Sequence, residues 1–346
     1  MRPCHGYAAL EPAGPLVPFS FERRDPRAED VVVRILFCGV CHSDVHAVRR
    51  GRGGGNFPLV PGHEMVGEVV AVGDDVGKFR TGDQVVVGTI IDSCRRCSSC
   101  QGETEPYCLE GPTTTYNGRD RHDGSITRGG YSREIVADQR FVYPMPHGLD
   151  PASVAPLLCA GITTWSPLRH WQVGPGKTVG IVGLGGLGHM GLKFARALGA
   201  HVVQFTTSPS KAEAALALGA HEVVVSSDEA QMAKQAWRLD FILDSASSGH
   251  DLTPYLRTLK LDGTLCTLGI PAKLEFQPVV LTYGRRRLSS SGVGGTRDTR
   301  EMLDFCARHK IGAEIEMIRM DQINEGFDRL ERNDVRYRLV IDMATL

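Results

Sequence analysis

The chain has 346 residues, 42% hydrophobic and 23% charged, and its 39 Lys and Arg against 40 Asp and Glu leave a formal charge of −1. That balance excludes the electrostatic pull toward nucleic acid or an anionic membrane that a basic chain exerts. The length exceeds what one hydrophobic core usually organises, so two domains are expected. No stretch has the length and apolarity of a membrane span, and residues 1–10 lack the basic-then-apolar pattern of a secretory leader, so a cytoplasmic protein is expected.

Up to about residue 150, short β-branched runs such as 31–37, 66–72 and 84–91 are broken by Gly, Pro and Asp, which predicts an all-β domain. From Pro151 the texture changes to strand 178–182, helix 187–198, strand 201–205 and helix 211–218, followed by strands at 222–225, 241–243, 264–268 and 288–292. Six strands separated by helices predict an α/β fold with a doubly wound parallel sheet, the arrangement that binds dinucleotides beyond the carboxyl ends of its strands. Helices at 299–309 and 322–332 and a strand at 337–341 complete the chain, with no internal repeat, low-complexity tract or long linker.

Gly183-Leu184-Gly185-Gly186-Leu187-Gly188 follows an apolar strand and opens a helix, the context a dinucleotide fingerprint requires. Gly183 suits the tight turn, Gly185 the approach of a pyrophosphate to the backbone, and Gly188 the close packing of helix on strand. An NAD-preferring site offers an acidic residue to the ribose about twenty residues further on. Here the second strand runs instead into Thr206-Thr207-Ser208-Pro209-Ser210-Lys211, hydroxyls and a cation that suit the 2′-phosphate of NADP(H). The same turn can also serve as a helix cap through Ser208 or Ser210.

Ten cysteines in a cytosolic chain are expected to be reduced, and their clustering then suggests metal. Cys94, Cys97, Cys100 and Cys108 are spaced 2, 2 and 7 residues apart, and four thiolates close a tetrahedral zinc shell with no open position. The alternatives are surface thiols and an iron–sulfur cluster, although the last spacing is unlike the common ferredoxin patterns. Cys41, His63 and Cys159 are further candidates. Two thiolates and an imidazole would neutralise Zn²⁺ and leave a position open, but no spacing rule groups them.

With these residues in place, the chain resembles the zinc-containing medium-chain alcohol dehydrogenases, in the branch of cinnamyl alcohol dehydrogenases and bacterial aldehyde reductases. The likeness runs from the segment Gly39-Val40-Cys41-His42-Ser43-Asp44-Val45-His46 through Pro61-Gly62-His63-Glu64, the four-cysteine loop, Gly129-Gly130-Tyr131, Leu158-Cys159-Ala160-Gly161 and Gly185-Gly186-Leu187-Gly188-His189 to Arg338. It implies a GroES-like β catalytic domain over 1–149, with 296–346 returning to it, and a Rossmann domain over 150–295. It implies two zinc ions per chain. Cys41, His63 and Cys159 would hold the catalytic one, with Glu64 behind it or alternating as a ligand, and the four-cysteine loop the structural one. Asp44 would orient His63, Ser43 would touch the substrate oxygen, and His46 would be the outer base of a proton relay. Ser245, Gly269, Val293 and Gly294 would fall on the nicotinamide side, and Arg338 would reach the pyrophosphate. The implied activity is hydride transfer between NADP(H) and an aldehyde or alcohol by a homodimer or homotetramer. Thr114 stands where plant cinnamyl enzymes carry a Trp, just before Tyr116-Asn117, which favours a broad aldehyde reductase. An NAD-preferring zinc alcohol dehydrogenase and a silent NADP(H)-binding sensor are the competing readings.

Overall fold

The structure is a computed structural model and describes residues 1–49 and 55–346. The chain divides into two compact units, Met1–Cys159 with Gly294–Leu346, and Ala160–Val293.

The first unit opens with an antiparallel hairpin, β1 (Arg2–Ala9) and β2 (Leu16–Arg23). It continues with β3 (Asp30–Val40), β4 (Met65–Val72), β5 (Gln84–Val87), β6 (Ile90–Asp92), β7 (Thr113–Thr114), β8 (Glu134–Asp138) and β9 (Val142–Pro144). The second unit contains β10 (Thr178–Val182), β11 (His201–Thr206), β12 (Glu222–Val225), β13 (Leu239–Asp244), β14 (Leu259–Thr267) and β15 (Arg287–Ser290). The chain then returns to the first unit for β16 (Ile315–Arg319) and β17 (Arg338–Asp342).

In the first unit the main sheet runs β16-β17-β3-β4-β5-β9, with β8 also paired to β3. β3 is the hub, since its Val-rich sequence buries Val31, Val32 and Val33 completely and pairs with β4, β8 and β17 along its length. Each such side chain removed from water contributes about 1.5–3 kcal/mol. Val85, Val87, Ile135, Leu339 and Ile341 share a core with Val31 and Val33. The expected all-β character fails at the helix His42–Arg49, an eight-residue segment whose Val45, Ala47 and Val48 face the core while Ser43 is exposed.

In the second unit all strands are parallel in the order β12-β11-β10-β13-β14-β15, so the expected doubly wound sheet is present and the order reverses between β10 and β13. Val203, Phe205, Leu239, Ile242 and Leu265 are fully buried in its core. The unit begins later than the expected residue 150. The helix Pro151–Val154 and the 3-10 turn Ala155–Leu158 pack against β3 and β4 and so belong with the first unit. Among the described residues no helix is long and apolar enough to cross a membrane.

Candidate active site

Antiparallel pairing of β3 with β4 joins Cys38 to Met65, so the residues just beyond the end of β3 and just before the start of β4 lie side by side. Those residues are Cys41 on one side and His63-Glu64 on the other. The 3-10 turn Ala155–Leu158 packs on β3 and delivers Cys159 to the same place. The ligand atoms of Cys41, His63, Glu64 and Cys159 all lie within 4.8 Å of one another, and every one of these residues is buried. The Cys41 and Cys159 sulfurs are 3.9 Å apart. Tetrahedral zinc with Zn–S bonds of about 2.3 Å separates two sulfurs by roughly 3.8 Å, so the residues present fit the ion.

Asp44, in the first turn of the helix His42–Arg49 and fully buried, organises this set. Its Oδ1 lies 3.0 Å from His63 Nδ1 and accepts the Gly62 N–H at 3.0 Å, while Oδ2 accepts the Cys41 N–H at 3.0 Å and the Tyr131 hydroxyl at 3.2 Å. Holding Nδ1 leaves Nε2 as the ligand atom. The Tyr116 ring leans on His63 with centroids 5.7 Å apart. Neither tyrosine was singled out for a role by the sequence, because nothing local ties residues 116 and 131 to Asp44.

Electrostatics divide the set, favouring the thiolate at Cys41 and the neutral form at Cys159. The hydrogen bond from Cys159 holds the Cys41 thiol well below its usual range against the opposing effect of burial, helped by His63 and the charge of Arg338. Donating that bond, together with burial, pushes Cys159 up. Burial pushes Glu64 up to about 7 despite the opposing charge of Arg338, its ion-pair partner. Arg338, expected at a pyrophosphate, is thus engaged by Glu64 inside the first unit, where the register of β17 with β3 places Leu339 opposite Val40.

Ser43 and His46 lie three residues apart on the same helix and therefore on one face. Ser43 is exposed and its N–H points to the Cys41 sulfur at 3.4 Å. His46 is half-buried, its ring 6.3 Å from that of His42.

The other cysteine set is local. Cys94, Cys97, Cys100 and Cys108 also place their sulfurs within 4.8 Å of one another, with Cys94 to Cys100 at 3.7 Å and Cys97 to Cys100 at 3.5 Å. That spacing leaves room for one ion and none for a multi-iron cluster. The N–H groups of Leu109 and Cys100 draw the Cys97 thiol down to about 6, as a thiolate ligand requires.

In the second unit the residues expected at a dinucleotide lie beyond the carboxyl ends of the parallel strands. Gly183, just after β10, has φ +86°, and a Cβ on Gly188 would collide with its carbonyl oxygen. Gly185 faces open space, whereas Leu184 is buried and Leu187 precedes the helix Gly188–Ala197. Thr206 ends β11 with its hydroxyl oxygen accepting the Ser208 N–H at 3.1 Å. Thr207 and Lys211 are exposed, and Ser208 pairs its hydroxyl with Ser210 at 2.7 Å and caps nothing. Ser245, beyond β13, donates to the Val182 carbonyl at 2.7 Å. Gly269 follows β14 closely, and Val293 and Gly294 mark the return to the first unit.

Fold and donor sets define a zinc-binding dehydrogenase. Residues 27–147 match the family described as alcohol dehydrogenase GroES-like domain, and residues 186–308 the family described as zinc-binding dehydrogenase. Aldehyde reductase YahK of Escherichia coli K12 is 53% identical over 335 residues, 96% of each chain. A cinnamyl alcohol dehydrogenase structure from Sorghum bicolor superposes with a TM-score of 0.96 at 45% identity, covering 99% of this chain and 98% of the other. One from Helicobacter pylori, complexed with NADP(H), gives 0.92 at 36% identity over 99% of each chain. The chain belongs to the zinc-containing medium-chain alcohol dehydrogenases, in the branch of cinnamyl alcohol dehydrogenases and aldehyde reductases.

Proposed function

We propose that this chain is an NADPH-preferring aldehyde reductase of broad range. The observation that carries the reading is the buried donor set Cys41, His63, Glu64 and Cys159; with Glu64 engaged by Arg338, the other three would hold zinc and leave a coordination position for a substrate oxygen. Zinc held there supplies Lewis acidity and NADPH supplies the hydride. The remaining work falls to side chains. Asp44 fixes the orientation and tautomer of His63. Ser43 Oγ gives its proton to the product oxygen, and His46, one turn along the helix, refills it from solvent, a role to which an imidazole, able both to donate and to accept a proton, is suited. Alcohol oxidation runs the same path backwards.

Gly183 to Gly188 seat the pyrophosphate, and Thr206, Thr207, Ser208 and Lys211 face the 2′-phosphate with hydroxyls and a cation. Ser245, Gly269, Val293 and Gly294 complete the nicotinamide side. Thr114, exposed and with its hydroxyl donating to the nearby Tyr116 carbonyl at 2.9 Å, fills less space than an aromatic wall and admits varied aldehydes. None of the ten cysteines takes part in a disulfide, which suits the cytoplasm. Leu261, Ile270, Val279 and Tyr283 are 49 to 76% exposed on the second unit, apolar surface that suits a homodimer or homotetramer.

The test is oxidation of NADPH, followed at 340 nm, across a panel of aromatic and aliphatic aldehydes, with NADH in parallel. Turnover of several aldehydes with NADPH favoured supports the reading. Binding of NADPH without turnover of any aldehyde or alcohol would replace it with a sensor, and equal use of NADH with an NAD-linked dehydrogenase.

A further inference from the structure

The loop that carries four thiols also holds the start of the helix by which the chain re-enters the first unit. Glu105, between Cys100 and Cys108, is only 6% exposed, rare for a carboxylate. One of its oxygens accepts the Thr296 backbone N–H at 2.9 Å and the other the Thr296 hydroxyl at 2.8 Å. Thr296 is the first residue of the 14-residue helix Thr296–His309, and the preceding Gly295 has no side chain with which to cap it. Glu105 therefore satisfies an N–H that the helix leaves orphaned and places negative charge at its positive end.

The neighbouring residues tighten the same contact. The carbonyl oxygen of Glu103 occupies the space a Cβ on Gly295 would need, and the Glu103 carboxylate pairs with Arg300 one turn along the helix. On the other side, the Cys108 N–H donates to the Glu105 carbonyl at 2.9 Å, closing the 3-10 turn Glu105–Tyr107. The backbone that positions the fourth thiol thus also positions the cap.

Val293 and Gly294 immediately precede this cap. We propose that Glu105 is a positioning residue for the cofactor: by clamping Gly295 and Thr296 to the four-cysteine loop, it fixes the course of Val293 and Gly294 toward the nicotinamide. This rests on the reading above that those two residues face the nicotinamide. It makes cofactor affinity depend on the order of a loop that holds no reacting group.

The experiment uses the zinc-loaded enzyme and the variants Glu105→Ala, Thr296→Val and the double mutant, with zinc counted in each sample. Loss of the cap should speed amide exchange at residues 296–299 and raise the KM for NADPH by roughly tenfold, while kcat stays within about twofold. Thr296→Val keeps its N–H and leaves the thiol loop untouched, so it should show a smaller effect, and the double mutant should fall short of the sum. The proposal is overturned if Glu105→Ala lowers only the melting temperature, with exchange at 296–299 and KM unchanged, or if the two effects simply add. Should Glu105→Ala lose zinc, Thr296→Val decides alone, a raised KM at full zinc content supporting the proposal and an unchanged one ending it. Failure of NADPH to bind the wild type would strike the functional reading itself and the proposal with it, and that outcome is separate from an unchanged variant.

Discussion

Arg338 donates to the carboxylate of Glu64, a buried ion pair one residue from the candidate ligand His63. Burial alone would lower the guanidinium pKa, but the charges of Glu64, Cys41 and Cys159 reverse that and hold it above its ordinary value. Arg338→Met should therefore leave negative groups buried without their counter-charge, at a cost of about 3–5 kcal/mol read from denaturant unfolding. Adding Glu64→Gln should recover part of the loss, because the penalty lies in the unpaired charge. A stability loss below 1 kcal/mol for Arg338→Met would show that the pair is effectively solvated.

The two cysteine sets should separate by mutation. Cys97 lies in the closed local set and Cys159 in the dispersed one. Cys97→Ser should lower thermal stability and halve the zinc content, whereas Cys159→Ser should abolish aldehyde reduction and leave the circular dichroism of the fold intact. Elemental analysis of wild type and both variants is the check. One zinc per wild-type chain, or an iron–sulfur absorbance, would sink the assignment.

The readable parts of this protein were the local ones. Val179 to Val182 and Val202 to Phe205 announce buried parallel strands because both faces are covered, so apolar residues run on without alternation. The four-cysteine loop spans 15 residues, and its thiols meet with little help from the rest of the chain. Cys41 and Cys159 are 118 residues apart, and only the β3/β4 pairing and the turn before Cys159 unite them, so their grouping came from family resemblance. The helix His42–Arg49 stayed hidden because Ser43 and Asp44 favour caps and turns over helix interiors, and because Asp44 is buried for what it binds and not for apolarity. Tyr131 stayed hidden for the same reason, its hydroxyl meeting Asp44 87 residues away.

Asp120 predicts an acid-side stability change away from the site. Burial pushes its carboxyl up, but hydrogen bonds from Arg27 and the His122 N–H, with the charges of Arg27 and Arg24, outweigh that and hold it at about 2. The unfolded chain has a carboxyl near 3.9, so it takes up the proton first. The resulting stabilisation is complete above about pH 4, is lost as pH falls toward 2, and is on the order of 2 kcal/mol. Asp120→Asn should flatten the wild-type slope in that window. Parallel slopes for the two proteins in urea melts between pH 2 and pH 5 would contradict this.

Cofactor choice should rest on the turn after β11. Thr206 there is buried, while Thr207 and Lys211 present their side chains to solvent beyond the carboxyl end of the strand. No acidic residue occupies 206–211, so no carboxylate in that segment repels a 2′-phosphate and none accepts the hydroxyls of an NADH ribose. A charge-assisted hydrogen bond contributes about 1.5–3 kcal/mol, so removing the Lys211 ammonium should lower discrimination for NADPH by one to two powers of ten. Lys211→Ala should raise the KM for NADPH and leave that for NADH nearly unchanged, since NADH has no phosphate for the ammonium to hold. Thr207→Asp should go further, repelling NADPH while offering acceptors to NADH. The measurement is kcat/KM for both cofactors with one aldehyde in wild type and each variant. The Ser208 hydroxyl faces Ser210 and makes no cap hydrogen bond to the following turn, so a cap role does not account for Ser208. If Lys211→Ala nevertheless weakens both cofactors alike, the turn acts only on local folding, and the basis of NADPH preference must lie elsewhere in the second unit.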